Sequence, residues 1–118
     1  MRWLLSTTLG LSLISATSAA AQPPSGTRAD ELALEIEQTN RDLNATYQNL
    51  MRQLKLADQV KLRVAQRAWL KFRDADCAYG WWDLRDCLIA RTSERAEQLR
   101  DSHFQGADGK PIKVPPAR

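Results

Sequence analysis

The sequence predicts an all-α fold, a small three-helix antiparallel bundle or helical hairpin with one disulfide between helices 2 and 3. Three observations carry that expectation. Between Ala29 and Phe104 there is no proline and a single glycine, Gly80, so little interrupts helices over that span. Apolar residues within it recur at spacings of three and four, the period of one helix face. The only two cysteines, Cys77 and Cys87, bracket a stretch with turn chemistry, Gly80 and Asp83.

Each element follows from its stripe. Leu32, Ile36, Leu43, Tyr47, Leu50 and Leu54 share one face of a first helix. Asp58 is a candidate N-cap for a second helix, whose buried stripe is expected to be Leu62, Ala65, Trp69 and Phe72. The two stripes run almost in phase through Lys55 to Asp58, so the sequence allows either a break there or one unusually long helix. A third helix is expected to start near Asp86, a cap candidate, to bury Leu88, Thr92, part of Arg95 and Leu99, and to end near His103.

Outside that region the composition changes. Met1 and Arg2 precede an apolar run from Trp3 to Ile14 and then Ala19-Ala20-Ala21, the three regions of a secretory leader, so residues 1–21 are expected to be cleaved off before Gln22. The apolar run is too short to span a bilayer, and no cysteine follows it to accept a lipid. The processed chain is thus expected in a bacterial periplasm or secreted, with no membrane insertion. Residues 22–28 contain Pro23, Pro24 and Gly26 and read as a flexible linker; residues 105–118 contain Gly106, Gly109, Pro111, Pro115 and Pro116 and read as a flexible tail. What remains, residues 29–104, is one small helical domain, of a size that buries only about 60% of its unfolded surface.

Composition and spacing also exclude functions. The net charge of +3, one unit of which leaves with Arg2, is spread over intermixed acids and bases. It forms no basic block that tracks a nucleic-acid backbone. A hydrolase needs a base near a nucleophile, yet the only histidine is His103, beside Ser102 at a helix end with no third group to orient it. Asp74 and Asp76 lie two apart and diverge on a helix. One histidine and two cysteines do not make a zinc site, and no glycine-rich phosphate loop is present, so no metal or cofactor is expected.

In a small exported chain two cysteines pair, and a Cys77–Cys87 bridge closes a loop worth about 3 kcal/mol on the chain-entropy argument. Inside that loop Trp81 and Trp82 are adjacent, so both indoles cannot enter the same small core. Around them Asp74, Asp76, Asp83 and Asp86 outnumber Arg73 and Arg85. An acidic, aromatic, closed loop suits a protein partner, with Tyr79, Trp81, Trp82, Asp83 and Asp86 as contact candidates. The alternative is packing: Trp81 over the bundle end and Trp82 across the disulfide.

Three runs carry a family resemblance: LNATY at Leu43–Tyr47, AQRAWLKFRDADC at Ala65–Cys77 and CLIARTSERAEQL at Cys87–Leu99. Together they resemble the N-terminal domain of the LprI-type lysozyme inhibitors. The resemblance implies an exported bacterial helical domain and, by its name, inhibition of lysozyme. The matching positions are Gln66, Arg67, Trp69, Phe72, Arg73, Asp74, Cys77, Cys87, Thr92 and Arg95. Most read as structural: Trp69 and Phe72 supply apolar area, Arg73 and Asp74 point to different faces to pair with other helices, and Arg95 is placed to meet Asp74 or Asp76. Typical members carry a further cysteine pair before the LNATY element, and residues 30–42 contain none.

The function these readings favour is protein binding through loop 77–87, with c-type lysozyme as the partner the resemblance implies. Because lysozymes are cationic and this chain is net basic, that contact has to rest on the local acidic loop. The alternative is a periplasmic envelope adaptor or stress module of other specificity.

Overall fold

The structure, a computed structural model, describes residues 26–80 and 83–116; the expected leader and Trp81-Trp82 lie outside the described residues. Three helices follow one another: α1 (Arg28–Gln53), α2 (Leu56–Ala78) and α3 (Leu84–Arg100). Among the described residues there is no strand, only an isolated bridge between Gln105 and Pro111.

Local chemistry sets the boundaries. α1 starts on a capping box: the Thr27 hydroxyl accepts from the Asp30 amide, and the Asp30 carboxylate accepts from the Thr27 amide at 3.0 Å. The Thr27 hydroxyl, donating to the same carboxylate at 2.7 Å, and then the Thr27 amide hold the Asp30 carboxyl below its ordinary range. α1 and α2 are separate helices, because Leu54 turns extended and drives its side chain into the core. The Gln59 side chain then donates to the carbonyls of Met51 and Leu54, both at 3.1 Å, occupying acceptors that the end of a helix leaves unpaired. Two cap expectations need correcting. Lys55 takes the N-cap of α2 with no side-chain bond, and Asp58 lies inside the first turn, paired with Lys61. At α3 the cap is Asp83, whose carboxylate accepts from the Arg85 amide at 2.8 Å, while Asp86 lies within the first turn.

Successive helices run in opposite directions. α1 and α3 are parallel and share one register: Arg28 pairs with Asp86 and Asp42 with Arg100, each pair 58 residues apart. α2 runs back along α3, with Asp76 against Arg91 at 2.8 Å and Gln66 against Arg95 at 3.0 Å. The core joins Leu43, Leu50, Met51 and Leu54 of the α1 side to Leu62 of α2 and Ala96 and Leu99 of α3, with Tyr47, Trp69 and Phe104 packed against it. It therefore sits at the end of the bundle opposite the disulfide.

Ile112 and Val114 complete this core, so the segment expected to be a flexible tail is packed onto the bundle. After α3 the chain makes a short hairpin: the Gly106 amide donates to the Lys110 carbonyl at 2.8 Å and the Ile112 amide to the Phe104 carbonyl at 3.1 Å. Gly109 turns it at φ +78°. Gly106 is buried against α1, and a Cβ there would lie 3.4 Å from the Gln53 carbonyl oxygen.

The expected stripe of α2 is corrected too. Leu62 is buried and Trp69 half-buried, but Ala65 is exposed and Phe72 is 57% exposed. Between Leu62 and Phe72 Trp69 is the apolar side chain that turns inward; Val64 and Leu70 face outward, and Gln66 takes the inner face against Arg95 of α3.

Candidate functional site

The end of the bundle opposite the core is closed by Cys77 and Cys87, the last turn of α2 and the first of α3, with Cα atoms 5.4 Å apart. Both cysteines are buried. Beyond Cys77, Tyr79 ends α2 in an extended conformation, and Gly80 follows at φ +81°, a region that glycine enters without Cβ strain. Tyr79 is 84% exposed and Asp83 half-buried at the start of α3. Of the partner-binding candidates, the structure thus brings Tyr79, Asp83 and Asp86 to one end, and Trp81 and Trp82 lie outside the described residues.

The charge at this end differs from the expectation. Every carboxylate counted as part of an acidic loop has an arginine: Asp74 with Arg73 at 2.8 Å, Asp76 with Arg91 at 2.8 Å, Asp83 with Arg85 at 2.9 Å and Asp86 with Arg28 at 3.3 Å. Arg28 and Arg91 come from outside the segment, and their approach could not be read from local composition. The Arg85 side chain and amide together hold the Asp83 carboxyl down at about 2, and Asp83 in turn raises the Arg85 guanidinium. Asp76 and Glu94 likewise raise Arg91. The end is a set of ion pairs rather than an unbalanced acidic patch.

Midway along the bundle the motif residues form a second cluster. The guanidiniums of Arg73 and Arg95 lie over the Trp69 ring, at 5.4 and 5.7 Å from its centroid. Arg73 bonds its neighbour Asp74 through both Nε and a terminal nitrogen, and also donates to the buried Thr92 hydroxyl of α3 at 3.4 Å, so Arg73 reaches another helix as expected while Asp74 is held within α2. Arg95 meets neither Asp74 nor Asp76. It donates to Gln66 at 3.0 Å and to Gln98 at 3.3 Å, and burial pushes its guanidinium down. Trp69, Arg73, Thr92, Arg95 and Gln66 thus act together to hold α2 on α3. Arg67 stands apart, exposed and outside the cluster.

His103 is exposed and makes no bond with Ser102. Among the described residues there is no group of three or more histidine, cysteine or acidic side chains placed to hold a metal, and no helix is long and apolar enough to cross a membrane. The feature that sequence reasoning missed is the outer face of α2, where Leu56, Val60, Val64 and Phe72 are all exposed. Its signal was present as an apolar residue at every fourth position.

No curated protein and no solved structure matches this chain. The motifs at Leu43–Tyr47, Ala65–Cys77 and Cys87–Leu99 all fall within a single family match spanning residues 17–99. With three helices among the described residues, a disulfide joining the second to the third and that match over more than half its length, the chain belongs to the family described as lysozyme inhibitor LprI.

Proposed function

We propose that this protein is an exported inhibitor-like binding protein that acts on a lysozyme-type cell-wall hydrolase by protein–protein contact, through the disulfide-closed end and without chemistry of its own. The observation that carries this reading is Tyr79, 84% exposed on a turn that Cys77 and Cys87 hold closed. An aromatic ring held out from a rigid turn loses little conformational freedom on binding, which is why such residues dominate interface energies. The family's inhibitor name supports a protein partner, and the disulfide supports an oxidising compartment such as the periplasm.

Trp81 and Trp82 extend the same contact in this reading. Asp83 and Asp86 contribute less than their charge suggests, because Arg85 and Arg28 already neutralise them. The contact is therefore aromatic first, and association with a cationic enzyme gains little from long-range steering.

Calorimetric titration of c-type lysozyme with the processed protein, beside a cell-wall lysis assay, tests the reading. Binding is expected, with Tyr79→Ser and the double change Trp81→Ser, Trp82→Ser weakening it by about 2 kcal/mol or more while the helical signal and melting temperature hold. No detectable binding of the unmodified protein removes the inhibitor reading and leaves an envelope adaptor of other specificity.

A further inference from the structure

α2 is amphipathic in reverse. Toward the bundle it presents Gln59, Gln66, Arg73 and Asp76 beside Leu62 and Trp69. Toward solvent it presents an apolar residue at every fourth position: Leu56, Val60, Val64, Ala68 and Phe72. Leu56 is 75%, Val60 50%, Val64 60% and Phe72 57% exposed. A second row with the same spacing, Arg63, Arg67 and Lys71, runs beside the first, and all three are exposed with no ion pair among the described residues. From Lys61 to Phe72 there is no acidic residue. Rows spaced by four form adjacent, nearly straight ridges on a helix. The outer face of α2 is thus an apolar ridge beside a cationic one, along a helix of 23 residues, about 34 Å in length.

Contiguous exposed apolar surface of this kind marks an interaction site, and the charge beside it selects the partner. A second copy stacked on the same face by a two-fold axis brings two cationic ridges together. A cationic lysozyme is disfavoured for the same reason. The partner is anionic. A convex ridge on one helix matches a flat, fluid surface, since long cationic stems reach outward to phosphates while the shorter apolar side chains enter the layer beneath.

We propose that the outer face of α2 adsorbs to an anionic lipid surface, with Leu56, Val60, Val64, Ala68 and Phe72 at the headgroup boundary and Arg63, Arg67 and Lys71 on lipid phosphates. This goes beyond the lysozyme reading and uses a different face, so both contacts fit one molecule at once. The disulfide-closed end stays free while α2 lies on the bilayer.

Co-sedimentation of the processed protein, beginning at Gln22, with phosphatidylglycerol-containing vesicles and with pure phosphatidylcholine vesicles tests it. Adsorption to the anionic vesicles is expected to be about a hundredfold stronger, since each interfacial cation contributes roughly fivefold, and to fall in high salt. The triple change Arg63→Gln, Arg67→Gln, Lys71→Gln is expected to remove most of that preference, and Val64→Asp most of the adsorption, both with unchanged circular dichroism. Tyr79→Ser leaves adsorption intact, which separates this result from the lysozyme test. Absence of binding to anionic vesicles at low salt overturns the proposal, as does a triple variant that binds like the parent. A dimer in sedimentation velocity that Val64→Asp dissociates also overturns it, assigning the face to a second copy.

Discussion

At one end of the bundle α1, α3 and the returning C-terminal segment bury Leu50, Leu54, Leu99, Ile112 and Val114 together; at the other, Cys77 and Cys87 are joined where no side chain of that core reaches. The first end is held by many small contacts distributed over several elements, and the second by one covalent bond and a ring of ion pairs. The contrast shows how a small chain divides its means: apolar side chains are too few to close both ends, so a crosslink replaces them at one. It also explains why α2 can turn its apolar side outward. Tied to α3 by the disulfide and the Trp69 cluster and to the end of α1 by Gln59, it adds only Leu62 to the buried core.

The comparison can be broken most severely at the core end. Leu50→Ala, at a fully buried position, is expected to cost about 2–5 kcal/mol and to lower the melting of the whole domain. A local loss confined to α1, seen by hydrogen exchange, would mean that the core does not unite the elements. At the other end, replacing Cys77 and Cys87 together by serine is expected to cost about 3 kcal/mol. Amide protection should then be lost first in the C-terminal half of α2; uniform loss along all three helices would contradict the division between ends.

Between the two ends, Trp69→Ala is expected to cost about 3 kcal/mol, the low end for a large aromatic because this ring is only half-buried. An unchanged melting temperature would show that Arg73 and Arg95 hold α2 without the ring. Phe72→Ser should shift stability by less than about 0.5 kcal/mol, as expected of an exposed position, although Phe72 is a larger side chain than most in the core. The smallest effect concerns pH. Asp83 is depressed to about 2, so the contribution of its bonds to Arg85 is complete above the ordinary carboxylate range near pH 4 and is lost as pH falls toward 2. Protection of the Arg85 amide, measured relative to the intrinsic exchange rate at each pH, should fall in that window in the parent and stay constant in Asp83→Asn.

Much of this was legible in the sequence. The stripe of α1 and the pairing of Cys77 with Cys87 follow from spacing, because helix period and compartment each act through local sequence. Phe72 was misread for an instructive reason: Leu62, Ala65, Trp69 and Phe72 keep the right period, but so does the row from Leu56 to Phe72, and period alone does not say which row faces inward. Ile112 and Val114 were missed because two apolar residues flanked by prolines bury only after a hairpin that the glycines Gly106 and Gly109 make feasible. The Thr27–Asp30 box was legible and overlooked. The neutralisation of Asp86 by Arg28 was not, since 58 residues separate the partners.

The crosslink also alters what damage means for this molecule. Tyr79, 84% exposed, lies inside the loop that Cys77 and Cys87 close. A protease that cuts there does not release α3, because the two pieces remain joined through sulfur, and α3 still packs along α1 in the register fixed by Asp42 and Arg100. The nicked protein is a two-chain molecule of nearly unchanged mass, single on a non-reducing gel and split on a reducing one. In surroundings rich in proteases, cleavage at the tip alters the exposed loop while sparing the scaffold behind it.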